Sequence, residues 1–448
     1  MRALFFKAFI LCVLPDALFA GSRLTDLLNG SEPVDRTWQT PAVIKWRYNP
    51  TNAPPNAQAL ITAAFEIWSQ SRIVDFRHEF HGTTTASSPS TNGYTDFFFG
   101  VSFSSEGLSN DLVAIVLLNG KIIGGTLRSG DEIIREGDIL VNPAFSSFWR
   151  TAEADITSAA VLDLQEVLIH EIGHVLGLGH SYLIDAMMYP GKPPADLPEI
   201  DLFRFPKRSL TQDDISWAAQ IHPVPDANRS YARIQGRVLY NGEPYVGAHV
   251  IAVKYNESEP HFSDDSSFLL VKGLKNVSTF SGQDGVFSLD YLEPGGYRLV
   301  VQNARNFFGW TFATVNQFFE KFSSLSSFPL DVYSNSYCAT ISGLSAASFS
   351  ADFSVAPAFS LTANQSICGL DFHGNAPSGQ CAQSPELRSG TSCGGGGCSL
   401  SVAASSGYNQ DMKFLGTILF VVGSLIILLS LKSIILNRGQ SKRNRPRG

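Results

Sequence analysis

The eleven residues HEIGHVLGLGH at positions 170–180 constrain this chain more than any other stretch. In an α-helix, residues four apart lie on one face, so His170 and His174 can bind the same cation. Glu171 lies about 100° from His170 around the helix axis, close enough to reach another ligand of that cation. The stretch therefore predicts a metal-binding helix with a general base beside the metal.

His180 offers a third ligand, which the helix alone cannot place. It lies six residues after His174 and points away from the line of the first two histidines, so the chain must leave the helix and turn back. Gly177 suits this turn because glycine adopts the left-handed conformation that ends helices. The whole stretch thus contains two ligands, a base, a turn and a third ligand.

Three imidazoles and one open position form a catalytic zinc site, whereas structural zinc sites use four protein ligands. We therefore predict one catalytic Zn²⁺ bound by His170, His174 and His180. Glu171 is the predicted general base for attack of water on a carbonyl. The alternative is a core helix with incidental histidines, which leaves the spacing of Gly177 unexplained. Structural Ca²⁺ has no support, because no loop has a convincing calcium-binding pattern.

The spacing HExxHxxGxxH resembles the signature of the metzincin metallopeptidases, and the following HSYLIDAMMYP resembles their matrixin branch. Met188 lies eight residues after His180, at the position of that family's Met-turn methionine, which underlies the histidines without binding the metal. The resemblance implies an α+β catalytic domain over residues 36–224, with a twisted mixed sheet and a zinc-binding helix. It also implies a zinc-dependent endopeptidase whose protein or peptide substrates bind as an added strand at a sheet edge.

Two other functions stay open from the sequence. One is a surface adhesion or binding protein with an inactive peptidase-like domain, and the other is a zinc hydrolase that acts on something other than peptides. The resemblance to the matrixin branch brings in one further feature, since its secreted vertebrate members have a propeptide with a cysteine that blocks the zinc. Here the only early cysteine is Cys12, within the predicted signal peptide, so we expect no such latency.

Residues 231–305 change in character, with alternating strands between Asn-Gly and Pro-Gly-Gly turns. This pattern predicts an all-β sandwich. Two stretches, GRVLYNGEPYVGAHVIAV and SGQDGVFSLDYLEPGGYRLVV, resemble the carboxypeptidase regulatory-like (transthyretin-like) module. Within the first domain, Asn119-Gly120 between two apolar runs predicts a hairpin turn, and a helical pattern runs from about Thr157 to Leu176. Thr211 followed three residues later by Asp214 resembles a capping box at the start of the domain's last helix, and residues 223–230 are a predicted linker.

The two ends of the chain predict export and anchoring. Residues 1–20 have Arg2 and Lys7, an apolar run and small residues near Ala20, as in a secretory signal peptide. A buried N-terminal strand is the alternative. The uncharged stretch Phe414–Leu431 can cross a hydrocarbon core of ~30 Å, and basic residues follow it as on the cytoplasmic side of a membrane. We therefore predict an exported, single-pass surface protein with a cytoplasmic C-terminus.

The C-terminal end allows other interpretations than this anchor. A lipid-anchor signal would end apolar, and a buried core helix would not need a basic flank. CGGGGC before an apolar span and a basic end resembles bacterial sorting signals, which implies removal of the span and retention at the outer surface. Five cysteines follow Cys12, an odd number, and we predict one disulfide between Cys338 and Cys368.

The chain thus divides into several predicted segments. Besides the two domains they are a signal peptide (1–20), a second β-rich region (306–374), a Gly/Ser/Cys-rich stalk (375–411), a transmembrane or sorting segment (412–436) and a basic cytoplasmic tail (437–448). A net charge of −7 argues against nucleic acid as a partner, which leaves peptide substrates and the membrane. The sequence leaves the oligomeric state open.

Overall fold

The computed structural model describes residues 25–26, 34–38, 42–110, 112–122, 132–155, 161–181, 183–189, 208–240, 242–245, 248–255, 259–262, 269–282, 285–303, 331–332, 359–374 and 386–389. Residues 1–398 belong to one compact unit, and residues 399–448 make up a second, which lies outside the described part. The described residues of the first unit form two large cores and a smaller apolar cluster that includes Phe98, Phe103 and Leu140. One large core surrounds the metal-binding helix, and the other lies between two β-sheets.

The described residues of the first half form three α-helices and nine strands. The helices are α1 (Ala57–Ser69), α2 (Leu164–Val175) and α3 (Gln212–Ile221). The strands are β1 (Thr25–Asp26), β2 (Val34–Trp38), β3 (Ala42–Tyr48), β4 (Phe76–Thr83), β5 (Thr95–Phe98), β6 (Ala114–Ile122), β7 (Glu132–Val141), β8 (Trp149–Arg150) and β9 (Leu162–Asp163). Short 3₁₀ helices cover Pro143–Phe148 and Glu153–Asp155.

Seven of these strands form one mixed sheet in the order β1-β2-β7-β5-β3-β4, with β6 added to β7. Strands β3, β4, β5 and β7 run parallel, and β6 is antiparallel to β7. The parallel pair β3–β4 needs a crossover, which α1 supplies. This arrangement agrees with the predicted twisted mixed sheet.

The first core explains why these segments form their elements. In β3, Ala42, Ile44 and Trp46 are buried while Val43 and Lys45 are exposed, so the strand turns one face to the helices. Helix α1 buries a stripe of residues at helical spacing: Leu60, Ile61, Ala64, Phe65 and Trp68. The helices α1, α2 and α3 share this core with the sheet.

Two tryptophans join neighbouring elements to the metal-binding helix through its backbone. Trp68 of α1 donates its Nε1–H to the carbonyl of Ile169 at 2.8 Å, and Trp38 of β2 donates to the carbonyl of Val175 at 2.6 Å. A buried indole N–H needs a partner, and the carbonyl of Val175 is free to accept because the last carbonyls of a helix lack intrahelical donors. Helix α2 is therefore held from the N-terminal strand and from α1.

The predicted hairpin turn at Asn119-Gly120 is wrong. Both residues lie inside β6, which pairs with β7 along its whole length. The pairing shifts between them: Asn119 faces Glu136 and Gly120 faces Ile134, so β7 carries one extra residue, Arg135. The hydrogen bonds of the long antiparallel pairing stabilise the strand more than the local preference of Asn-Gly stabilises a turn. The pair lies instead at a β-bulge.

The predicted start of the metal-binding helix, about Thr157, is too early. Helix α2 begins at Leu164, because Asp163 caps it by accepting a hydrogen bond from the backbone N–H of Gln165 at 3.0 Å. Asp163 also forms an ion pair with Arg208 at 2.7 Å. The two residues before the helix form β9, which pairs with β8.

The second half contains two five-stranded sheets around a second core. Its strands are β10 (Ala232–Tyr240), β11 (Glu243–Pro244), β12 (Ala248–Lys254), β13 (Glu259–Phe262), β14 (Leu269–Lys272), β15 (Val277–Phe280), β16 (Val286–Leu292), β17 (Gly295–Asn303), β18 (Asp331–Val332), β19 (Phe359–Leu361), β20 (Gln365–Gly374) and β21 (Glu386–Ser389). One sheet has the order β11-β10-β20-β21 with β16 on β10; the other has β15-β12-β17-β18 with β19 on β17. A separate hairpin joins β13 and β14.

Two of the predicted segments contribute strands to the sheets of the second half. The described strands of the predicted second β-rich region, 306–374, do not form their own sheet: β20 lies parallel to β10, and β19 pairs with β17. Strand β21 lies within the predicted stalk, 375–411, and pairs with β20. The sheet that each strand joins depends on pairing with a distant segment, and composition carries no information about that pairing. The likeness to the carboxypeptidase regulatory-like module stays a prediction.

Helix α3 connects the two halves. Ser216 donates to the carbonyl of Asp290 at 2.7 Å, Trp217 donates its Nε1–H to the carbonyl of Ser278 at 3.0 Å, and the carbonyl of Leu274 accepts from the N–H of Gln212 at 2.8 Å. Residues 223–230, expected to be a free linker, include the short helix Ala227–Ser230. The halves are therefore in direct contact within one compact unit.

The predicted ends of the chain fall outside the described residues, namely 1–20, 412–436 and 437–448. No helix in the described ranges has the length and apolar character needed to cross a membrane. Cys368 on β20 is disulfide-bonded, and its partner lies outside the described residues, as does Cys338. The pairing of Cys338 with Cys368 stays a prediction.

Replacing Trp217 by Phe tests the contact between the halves. The change removes the indole N–H that reaches Ser278 but keeps an aromatic ring in place, so we expect the free energy of unfolding to fall by about 1 kcal/mol. Urea unfolding of the full chain measures it. Trp68→Phe, which removes a similar bond inside the first core, is the matched control. A loss of stability in the control alone would show that the Trp217 bond contributes nothing.

Candidate metal centre

Helix α2 presents two histidines on one side and apolar residues on the other. Leu164, Leu168 and Ile172 are fully buried in the first core, and His170 and His174 lie one turn apart. The helical period alone separates these two faces. The helix therefore fixes two imidazoles on a rigid, packed element.

The turn after the helix forms as the glycine predicts. Gly177 has φ +95°, in the left-handed region. Its N–H donates to the carbonyl of His174 at 2.9 Å, and the N–H of Leu178 donates to the carbonyl of Gly173 at 3.0 Å. This pair of bonds is the Schellman motif, which ends a helix and reverses the chain. The reversal brings His180 back to the first two histidines.

The three predicted ligands come together. Ligand nitrogens of His170, His174 and His180 all lie within 4.8 Å of one another, and the Nε2 atoms of His174 and His180 are 3.2 Å apart. Two nitrogens bound to one tetrahedral zinc at 2.0–2.1 Å would lie roughly 3.3 Å apart. The spacing therefore fits zinc.

Two of the imidazoles are oriented by backbone carbonyls. His170 Nδ1 donates to the carbonyl of Met187, and His174 Nδ1 to the carbonyl of Leu178, each at 2.8 Å. A carbonyl only accepts, so the proton of each neutral ring is on Nδ1 and the Nε2 lone pair is available to a metal. His180 differs, because its buried Nδ1 has no hydrogen-bond partner among the described residues.

Burial keeps two histidines of the triad, His174 and His180, neutral. Desolvation, together with His170, lowers the pKa of His174 to about 3, and desolvation lowers the pKa of His180 well below its usual value. Neutral imidazole is the form that binds metal. The site thus disfavours protons on its nitrogens without excluding a divalent cation.

Glu171 lies in the same buried environment. It is only 6% exposed, and desolvation raises its pKa to about 8. A carboxylate in such surroundings ionises at neutral pH when a positive charge lies close by, because an opposite charge favours the charged form. A cation between the three histidines would provide that charge.

Met188 lies beneath the helix, as the resemblance implies. It is 1% exposed and packs against Gly173, where an added Cβ would overlap Met188 Sδ and come within 2.8 Å of Trp68 Cζ2. Gly173 stands between the two helical histidines. Its lack of a side chain allows the methionine to lie directly against this turn.

Asp214 holds the backbone of this methionine turn, a role that the sequence did not reveal. Its two carboxylate oxygens accept the N–H groups of Met187 and Met188 at 2.9 and 3.0 Å. The capping box of Thr211 and Asp214 at the start of α3 is present as predicted. The sequence does contain a signal for this second role of Asp214: two adjacent acids, Asp213 and Asp214, stand at the start of an amphipathic helix.

The structure also identifies an edge strand near the metal centre, which the sequence left unassigned. Strand β6 pairs only with β7 among the described strands, and it packs against α2. Its outer edge has backbone groups without a strand partner in the described ranges. An extended peptide can add to such an edge.

Residues 129–222 match the matrixin family, Peptidase_M10. Metalloendoproteinase 1 from Glycine max is 40% identical over 80 residues, which cover 17% of this chain and 23% of that protein. Metalloendoproteinase 4-MMP from Arabidopsis thaliana is 42% identical over 67 residues, covering 15% of this chain and 17% of that protein. The chain spans less than a quarter of the length of these curated relatives.

One solved structure is also similar, that of the dioxygenase domain of a dioxygenase carbohydrate-binding protein fusion from Streptomyces sp. SirexAA-E. It is 16% identical, covers 18% of this chain and 55% of that chain, and has a TM-score of 0.12. A likeness at this score carries no argument about the fold. The matrixin match agrees with the predicted zinc cofactor and with the histidine triad.

Replacing Gly173 by Ala tests the packing beneath the triad. The new methyl group meets Met188 and Trp68, so we expect the free energy of unfolding to fall by about 1–3 kcal/mol through overpacking. Urea unfolding measures this change. In a Met188→Ala background the same substitution should cost less, because the sulfur has gone. Equal costs in both backgrounds would contradict the proposed packing.

Proposed function

Because residues 129–222 carry a matrixin-like metzincin domain, we propose that this chain is a zinc-dependent endopeptidase that hydrolyses peptide bonds in proteins or peptides. The observation that carries the proposal is the histidine triad beside a buried glutamate, in which the Nε2 atoms of His174 and His180 are 3.2 Å apart. The named relatives, metalloendoproteinases of plants, support the same reaction class.

His170, His174 and His180 would bind the zinc through Nε2, with Nδ1 of the first two tied to backbone carbonyls. Zinc supplies Lewis-acid polarisation of the scissile carbonyl and lowers the pKa of a coordinated water to about 7. Met188 and Gly177 support the site without binding the metal: the methionine packs beneath the helix, and the glycine turns the chain towards His180.

Glu171 is the proposed general base. With a cation at the triad its carboxylate is ionised at neutral pH, and it accepts a proton from the attacking water. It then donates that proton to the amine nitrogen as the peptide C–N bond breaks. Its burial keeps bulk water from competing for this proton.

The substrate is proposed to bind along β6 as an added antiparallel strand. The edge of β6 lies next to α2, and main-chain hydrogen bonds to an edge recognise any extended peptide. Peptides of varied sequence are therefore suitable substrates. Segment 190–207, between the methionine turn and Arg208, lies outside the described residues.

We also propose that the enzyme is exported and anchored at the cell surface. The proposal rests on the signal-like residues 1–20 and on the apolar Phe414–Leu431 with its basic flank. Either the span is retained with the C-terminus in the cytoplasm, or it is removed after sorting to the outer surface. Detection of the C-terminal tail in the mature protein by mass spectrometry distinguishes the two.

Replacing Glu171 by Gln tests the general base. We expect peptide cleavage to fall by at least roughly 10²–10⁴-fold while zinc stays bound, because the ligands are unchanged. Cleavage of a mixed peptide library is followed by mass spectrometry, and zinc is measured in the same sample. Glu166→Gln, in the first turn of the same helix, is the control and should retain activity. Zinc bound by the unaltered chain without any cleavage would favour the binding-protein alternative.

The metal content of histidine variants tests the ligand set. The full chain should contain one zinc, and His174→Ala should contain much less, because the triad loses a ligand. His222→Ala is a matched control: His222 is also fully buried in the first half, but its Nε2 bonds to the carbonyl of Leu176 and lies outside the triad. Elemental analysis by mass spectrometry gives the stoichiometry. Equal zinc in both variants would rule out the triad as the site.

A further inference from the structure

We propose that the β-rich half is a working part of the metal centre: Ser278 on β15 is a positioning residue that orients His180 through Asp213 and Ser181. The inference rests on the proposed zinc site. It assigns a function to a half of the chain that neither the matrixin match nor the plant relatives explain, since the match ends at residue 222.

The first step concerns how His180 is held. His170 and His174 each have an Nδ1 bond to a backbone carbonyl, whereas His180 Nδ1 has no partner among the described residues. His180 also lies after the helix, on a turn. Its ring direction therefore depends on the backbone that follows it.

Ser181 fixes that backbone. It is 2% exposed, and its N–H donates to the carbonyl of Met188 at 2.8 Å. Its Oγ accepts from the N–H of Leu183 at 3.1 Å and donates to Asp213 Oδ2 at 2.5 Å. The hydroxyl of the residue directly after His180 thus both donates and accepts a hydrogen bond.

Asp213 passes this restraint to the β-rich half. It is completely buried at the start of α3, and its two oxygens face different partners. Oδ2 accepts from Ser181, while Oδ1 accepts from the backbone N–H of Ser278 at 2.6 Å and from its hydroxyl at 3.2 Å. A carboxylate in this position is favourable only with both sets of donors, because unpaired buried charge is costly.

A second bond ties the same loop to the same strand region. Asp185, between His180 and Met188, accepts from the backbone N–H of Gly273 at 2.7 Å. Gly273 and Ser278 lie on either side of the turn that enters β15. The segment that carries the third ligand into the methionine turn is therefore attached to the β-rich half at two points.

The experiment compares variants of the full chain by zinc affinity and by the visible absorption spectrum of the Co²⁺-substituted protein, which reports ligand geometry. Asp213→Ala removes the link and should weaken zinc binding about 10-fold. Ser278→Ala keeps the backbone N–H and should weaken it roughly threefold. Both should shift the Co²⁺ bands.

Ser281→Ala is the matched control. Ser281 follows β15, is 3% exposed, and its hydroxyl bonds to the carbonyl of Tyr245 and to the N–H of Ala248, away from the metal. It should lower stability without changing zinc affinity or the Co²⁺ spectrum. Combining Ser181→Ala with Ser278→Ala tests the route: in the Ser181→Ala protein, loss of the Ser278 hydroxyl should have little further effect on zinc affinity.

Unchanged zinc affinity and Co²⁺ bands in folded Asp213→Ala would overturn the proposal. If Asp213→Ala does not fold, equal zinc affinity in Ser278→Ala and Ser281→Ala would overturn it. An additive effect of the Ser181 and Ser278 substitutions would also do so. If the unaltered chain binds no zinc, the proposed function fails and this inference with it; zinc binding that no variant changes refutes the positioning role alone.

Discussion

Two adjacent carboxylates at the start of α3 connect the loop of the third histidine, the methionine turn and the β-rich half. Asp213 reaches Ser181 and the β-rich half, and Asp214 reaches the N–H groups of the methionine turn. Both are buried, and burial raises the pKa of each. Placing two acids side by side in a core is unfavourable unless every oxygen has donors. Their donors come from the ligand loop, the helix cap and β15, so these three regions must assemble together.

The metal centre also consists of buried polar groups, and these need a cation as their partner. Burial keeps His174 and His180 neutral, and it raises the pKa of Glu171 while no cation is near. The buried set is therefore suited to a cation. A divalent ion satisfies the three Nε2 lone pairs and the carboxylate at once. In the proposed enzyme, metal binding and ionisation of Glu171 would therefore be coupled.

The sequence predicted well where the determining contacts are local. The triad, the turn at Gly177 and the cap of α3 all lie within a few residues of their partners, and helix geometry alone places them. The sequence does not predict structure that depends on pairing between segments far apart in the chain. Asn119-Gly120 has a strong turn preference, yet β7 keeps it within a strand. Strands β20 and β21 were assigned to other segments because their partner β10 begins more than a hundred residues earlier.

The roles of the acids were out of reach for the same reason. Asp213 meets a serine 65 residues further along the chain, and no spacing rule links them. The sequence predicts the cap formed by Asp214. Its bonds to Met187 and Met188 depend on how the methionine turn folds against α3, which no local pattern encodes. The sequence identifies the three histidines of the triad, whereas the residues that hold them in place are identified only from the structure.

Strand β20 lies between β10 and β21 in its sheet, so one side of β10 has no partner until residues 365–374 arrive. During synthesis the chain emerges from its N-terminus, and residues 304–364 separate β17 from β20. Throughout that interval β10 presents an open edge of the kind that promotes association between chains. A nascent chain of this protein would therefore depend on chaperones most in the stretch after its catalytic residues have already been made.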